Sequence, residues 1–175
     1  EYLNGASYAT TYAYDAQKNL TTITDAKGNI RNFTYDQLGR KLIQEDLHTV
    51  NDVTFGTWSY TYDDNSNLVT ETNPENQKTT YTYDALNRIL TEDNDANGGV
   101  EATYTYDQSM YGIGKLANIQ TPNLQKDFAY DILGRVTKET KTIDGKAYEM
   151  AFAYNLLGNV LQMIYPDGTE ATYTL

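Results

Sequence analysis

Large aromatic residues recur two positions apart along this chain, each pair enclosing one small residue: Tyr12 and Tyr14, Phe33 and Tyr35, Tyr60 and Tyr62, Tyr81 and Tyr83, Tyr104 and Tyr106, Phe128 and Tyr130, Phe152 and Tyr154. Tyr173 opens an eighth pair, whose second place falls on Leu175. Spacing by two sets both rings on one face of a β-strand and turns the intervening Thr or Ala to the other face. The second ring is followed by Asp15, Asp36, Asp63, Asp84, Asp107, Asp131 or Asn155, and in the clearest copies Gly stands three places later, at Gly39, Gly134 and Gly158. Asp at the first position and Gly at the fourth predict a type I turn closing a hairpin.

The chain then returns on Arg or Asn followed by apolar residues: Asn19-Leu20, Asn67-Leu68-Val69, Arg88-Ile89-Leu90, Arg135-Val136, Asn159-Val160-Leu161, with Arg40 at the same place in the second copy. Each return strand ends in a second turn, and the second turns hold Pro74, Pro122 and Pro166 together with Gly28, Gly98, Gly99, Gly145 and Gly168. One unit therefore reads strand, tight turn, strand, looser turn, and it repeats at steps of 21, 27, 21, 23, 24 and 24 residues from Tyr14, with no stretch of helical period. The extra length sits in "DLHTVNDVTFGTW" of the second unit and in the lengthened turn "YDQSMYGIGKL" of the fifth. No linker separates the units. The expectation is a single array of about seven hairpins over residues 1–175, and its start on Glu1 and its stop inside a further copy mark it as a segment of a longer protein.

Seven hairpins give about fourteen strands, or about 65 Å of flat sheet. Strongly twisted sheets rarely pass ~10 strands without curling, and no helix is predicted to cover a face. The fold expected is all-β: tandem β-hairpin repeats in a coiled, spiralling antiparallel sheet, each unit held by its neighbours. Consecutive apolar residues such as Leu68-Val69 and Val160-Leu161 predict that both faces are partly apolar. Ladders of stacked rings would protect them, at roughly 0.2–1 kcal/mol per cross-strand aromatic pair. The free edges are predicted to pair end to end or to aggregate.

Composition narrows the chemistry. A net charge of −11 argues against a nucleic-acid backbone or an anionic membrane as partner, since both need a basic surface. The lack of cysteine excludes a disulfide scaffold, thiolate-bound zinc and a cysteine nucleophile. The 17 tyrosines, against four Phe and one Trp, suit surfaces with one wet edge. No catalytic residue and no cofactor is expected. His48 is the only histidine; it has no nucleophile motif to serve and is expected to be an exposed loop residue. "DNDANG" places Asp93, Asp95 and Asn97 like the first half of a calcium loop. The twelfth position is Tyr104 rather than Glu, and a polar turn is the favoured reading. Asp or Asn after each second ring recurs once per unit, which suits a turn rather than a pair of acid–base carboxylates. Trp58, beside Tyr60 and Tyr62 and near Phe55, is the candidate contact patch, and exposed Tyr could stack on sugar rings.

The YDxxGR motif with its variable stretch and Gly turn resembles the YD-repeat, or Rhs-repeat, family. "YDQLGR" at 35–40 and "YDILGRV" at 130–136 match best, "YDALNRI" at 83–89 is close, and "YNLLGNV" at 154–160 is looser. The resemblance covers essentially the whole chain. The family includes bacterial Rhs and wall-associated toxins, the C components of insecticidal toxin complexes, and the animal teneurins. It implies a hollow β shell, which in the bacterial toxins encloses a C-terminal toxic domain and in teneurins is an extracellular scaffold. The chain has no PxxxxDPxG-type ending, where the family's self-cleavage Asp residues lie, and no toxin domain. What the resemblance implies is a non-catalytic structural segment of a secreted or surface bacterial protein, part of a shell that encapsulates or presents a C-terminal toxin. Its partners would be neighbouring repeats, other copies of itself or an encapsulated toxin domain. The alternative is an extracellular adhesion module for glycans or a protein partner, or a self-associating fibre unit.

Overall fold

A computed structural model describes residues 2–3, 6–95 and 98–174. The described residues form seventeen strands and no helix: β1 (Tyr2–Leu3), β2 (Ala6–Ser7), β3 (Thr11–Tyr14), β4 (Leu20–Thr24), β5 (Ile30–Tyr35), β6 (Lys41–Glu45), β7 (Thr57–Tyr62), β8 (Leu68–Thr72), β9 (Lys78–Tyr83), β10 (Ile89–Asn94), β11 (Gly99–Tyr106), β12 (Leu116–Gln120), β13 (Leu124–Tyr130), β14 (Val136–Ile143), β15 (Lys146–Tyr154), β16 (Val160–Ile164) and β17 (Glu170–Thr172). β1 and β2 form a small antiparallel pair. The other fifteen strands form one sheet whose order in space is their order in sequence, from β3 to β17, so the sheet is an unclosed meander.

The first turn of each hairpin follows from its sequence. Asp36 donates its backbone N–H to Arg40 at 2.9 Å and accepts that of Gly39 at 3.0 Å, while Gly39 sits at φ +76°. This is a type I turn followed by a left-handed residue. The fourth position therefore needs positive φ as well as a turn-forming residue, which favours Gly or Asn there. Gly134, Gly158 and Asn87 fill it in other copies, and Lys18 and Ser66 are held at φ 68° and 69° in the remaining two short turns.

The left-handed residue is followed by a β-bulge. Thr34 pairs with Ile43 but Tyr35 pairs with Lys41, leaving Leu42 as the extra residue. The same shift falls before Tyr14, Tyr62, Tyr106, Tyr130 and Tyr154. The consecutive apolar residues are thereby explained: Leu68-Val69 and Val160-Leu161 are bulge pairs, two residues opposite one tyrosine. They do not mark a strand apolar on both faces. The face away from the rings is rich in hydroxyls, with Ser59 opposite Thr72 and Thr61 opposite both Thr70 and, one strand on, in line with Thr80.

The chain packs as two units, Glu1–Thr82 with Asn94–Gly98, and Tyr83–Asp93 with Gly99–Leu175. Among the described residues neither has an enclosed core. In the second unit Ala102 and Ala117 are the only buried apolar side chains among the described residues. In the first, the one buried side chain among the described residues is His48, at 7% exposure. The expectation of an exposed loop histidine is thus corrected, because the insertion folds back and pairs His48 with Ile30 of β5. The rings are covered by neighbours rather than by a second layer. Tyr12 and Tyr14, on the outermost strand β3, are 57% and 60% exposed, whereas Phe33, Tyr35, Tyr60 and Tyr62, with strands on both sides, are half-buried.

Candidate functional site: the joint between repeats

The residues of the repeated motif converge where one hairpin meets the next. Three sets of bonds build this joint.

The first set closes each turn. One Asp36 oxygen accepts the backbone N–H groups of Leu38 and Arg40, both at 2.9 Å, and the other accepts Arg40 Nε at 2.6 Å. Asp131 holds Leu133 and Arg135 in the same way, and Asp84 holds Leu86 and Arg88. Where Asn replaces Arg, its side-chain amide takes the second oxygen, as in Asn19 to Asp15 and Asn67 to Asp63. These bonds favour the charged carboxylate and hold it below its ordinary range. The leading cause is the Arg backbone amide at Asp36 and Asp84, and the side chain four places on at Asp15, Asp63 and Asp131.

The second set runs backward to the preceding hairpin. Tyr35 donates its hydroxyl to Leu20 O at 2.9 Å, Tyr62 to Lys41 O at 2.8 Å, Tyr130 to Leu116 O at 2.7 Å and Tyr154 to Val136 O at 2.7 Å. Each acceptor is the first residue of the preceding bulge. A bulge disturbs the ladder locally, and the incoming tyrosine supplies that carbonyl with a donor. Burial pushes the phenols of Tyr35, Tyr62 and Tyr130 above their ordinary value, so they remain donors.

The third set runs forward. Arg40 donates from Nη1 to Asp63 O at 2.9 Å and lies over the Tyr62 ring, 4.9 Å from its centroid. Arg135 donates to Asn155 O at 2.7 Å and lies over Tyr154 at 4.7 Å. Arg88 lies over Tyr106 at 4.3 Å, but its fork grips the Asp107 carboxylate, at 2.8 Å from Nη2. The difference follows from the lengthened fifth turn. Asp107 has Tyr111 four places on, so its carboxylate is free to receive Arg88 and the Gly114 N–H. The planar guanidinium can bind its own turn, reach the next turn and stack on a ring at once.

Sequence reasoning identified the members of the joint but not the two interactions that cross it. The recurrence of Asp and Arg four places apart was a readable signal for the turn clasp. The forward reach of Arg and the backward reach of the tyrosine hydroxyl depend on register between strands.

The other candidates are scattered. Phe55 is stacked on His48, ring centroids 3.8 Å apart and planes 9° apart, and so is engaged within the insertion. Trp58 is half-buried on β7, paired with Gln44. Asp93 lies inside strand β10 and Asp95 just beyond it, its backbone N–H bonded to Lys78 O at 3.0 Å. Asn97 lies outside the described residues. Among the described residues no group of three His, Cys, Asp or Glu side chains could hold a metal ion. The tips of the first turns are apolar and open to solvent, with Leu38 71%, Leu86 70%, Leu156 95% and Leu157 87% exposed.

A sequence model of the RHS Repeat family matches residues 4–30, 14–45 and 62–100. No curated protein matches. Among solved structures, the crystal structure of TcdB2-TccC3 superposes with a TM-score of 0.74 at 19% identity, over 94% of this chain and 10% of that one. The crystal structure of TcdB2-TccC3-Cdc42 gives 0.72 at 19% identity, over 94% of this chain and 9% of that one. The Photorhabdus luminescens Tc holotoxin pore gives 0.72 at 19% identity, over 90% and 9%. This chain therefore spans about a tenth of the length of the chains it matches, and the likeness is one of fold.

Proposed function

We propose that this chain, a member of the RHS-repeat family, is a non-catalytic wall segment of a secreted or surface bacterial protein, and that residues 1–175 act as a single array of about seven hairpins in a β shell that encapsulates or presents a C-terminal toxin. The observation that carries this reading is the joint. Its tyrosine reaches the hairpin behind and its arginine the hairpin ahead, so the residues spelled out most often are those that bind repeat to repeat. Its carboxylates are each clasped in their own turn or by a neighbour's arginine, where acid–base work would need them to converge in a cleft. Its partners in this reading are the neighbouring repeats of the same protein and the enclosed segment.

The test uses the full-length protein that contains this segment. Its C-terminal portion should resist protease in the intact protein, and should become cleavable when Arg40, Arg88 and Arg135 are together replaced by Ala. Equal cleavage of that portion in both forms would overturn the reading.

A further inference from the structure

The second hairpin's insertion, residues 46–56, is closed at its base by a bond from Asp46 N–H to Gly56 O at 2.8 Å. His48 ties it to the sheet. His48 exchanges both backbone hydrogen bonds with Ile30 of β5, donating at 2.9 Å and accepting at 2.7 Å. Its ring is buried, with Phe55 stacked on one side. Nδ1 lies 2.8 Å from the Thr49 carbonyl oxygen, and Nε2 lies 3.0 Å from Glu45 Oε2. The same Glu45 oxygen accepts Asn32 Nδ2 at 2.6 Å, and Asn32 in turn accepts the Thr22 hydroxyl at 3.0 Å. The ring thus ends a polar chain running across β4, β5 and β6.

Both ring nitrogens face oxygens that can only accept. A neutral imidazole donates from one nitrogen and presents a lone pair at the other, so it would leave one of these two oxygens facing a lone pair. Only the doubly protonated ring satisfies both. We propose that His48 is a pH-sensitive latch, and that the 46–56 strap is held against β5 while the imidazolium is charged and loosens when it loses a proton.

The charged groups acting on the ring are Glu45 of β6 and Asp52 within the strap, and both favour the cation. β5 contributes its backbone at Ile30 and, behind Glu45, the neutral side chain of Asn32; the Thr22 hydroxyl behind that is also neutral. The hydrogen bond to Glu45 raises the imidazole above its ordinary value of 6.5, and burial opposes this without cancelling it. The group's folded pKa is raised, so its contribution is complete below the unfolded value and is lost as pH rises through the folded one. Loosening is therefore an event of the alkaline side. It would free a strap whose Leu47, Val50 and Val53 are already exposed, and would uncover Phe55 and the edge of Ile30.

The experiment is nitrogen-15 NMR on this chain as it stands. Long-range spectra at about pH 6 should show both His48 ring nitrogens protonated, with titration above the ordinary histidine value. The exchange protection factors of the Ile30 and His48 amides should fall by at most about tenfold for each unit by which the histidine pKa is raised, across about pH 6 to 9. The Gly39 amide, in a turn with no histidine, should hold its protection factor. In Glu45→Gln the ring midpoint should move down. His48→Gln should leave the strap's protection independent of pH. A His48 ring that titrates at or below its ordinary value, or a wild-type strap protected equally at both ends of that range, would overturn the proposal.

Discussion

The Tyr154 hydroxyl donates to the carbonyl oxygen of Val136 at 2.7 Å, from one hairpin to the bulge of the hairpin before it. The same reach recurs at Tyr35, Tyr62 and Tyr130. Tyrosine rather than phenylalanine is needed here because the bulge leaves a carbonyl at the limit of the ring's length. Tyr154→Phe and Tyr130→Phe should each cost about 1 kcal/mol, the net worth of one hydrogen bond. Tyr14→Phe should cost close to nothing, since that ring lies 60% exposed on the outermost strand. Urea unfolding of the three variants measures the contrast, and equal losses at all three positions would count against it.

Arg135 belongs to one turn and stacks on the ring of the next. A double-mutant cycle combining Arg135→Ala with Tyr154→Leu should return a coupling of about 0.5–1 kcal/mol. The same cycle with Tyr130→Leu, in the arginine's own hairpin, should return none. Arg135→Lys should lose most of the coupling, because an ammonium cannot clasp Asp131 and cap Asn155 together.

Gly39 and Gly158 both lie at positive φ, but a Cβ on Gly39 would meet Asn19 Oδ1 at 3.2 Å, while a Cβ on Gly158 would meet nothing within 4 Å. Gly158→Ala should cost about 1–2 kcal/mol from the left-handed backbone alone, and Gly39→Ala should cost more. Lys18→Gly, at φ 68°, should be neutral or stabilising. Thermal melts would rank the three; an Ala tolerated at both glycines would mean the turn is not held left-handed.

The turn carboxylates make the array acid-sensitive. Asp36, Asp84 and Asp131 lie below their unfolded value of 3.8. Their contribution is therefore present above that value and lost as pH falls through the folded pKa. The urea midpoint should drop below about pH 4, and replacing these three residues by Asn should flatten the drop. Asn155 already occupies the equivalent place in the seventh hairpin, so mutating it should leave the acid profile unchanged.

β3 and β17 each pair on one side only. Open edges invite pairing with another chain. Light scattering of this chain should show association that grows with concentration, and a monomer at every concentration would be the contrary result.

The strands and turns were legible in the sequence because they are set locally. A two-residue period puts rings on one face, and Asp followed by Gly turns the chain, wherever the segment sits. The meander was legible as well, since each short turn leaves the next strand only one neighbour to join. The bulge was not. Leu68-Val69 reads as an apolar doublet on a strand, and only its pairing with the single Tyr62 shows that the doublet is one step of a register shift.

His48 marks the same boundary more sharply. The sequence places one histidine in a polar insertion, which ordinarily means a solvated loop. Its burial comes from Ile30, Glu45 and Phe55, contributed by two strands and the far side of the loop. The sequence by itself determined what each hairpin is, because turn chemistry and side-chain period act over a few residues. The tertiary structure alone decided what each hairpin touches. The tyrosine hydroxyl, the arginine fork and the histidine backbone find their partners 15, 23 and 18 positions away in the chain, at distances fixed by strand register and by no local rule.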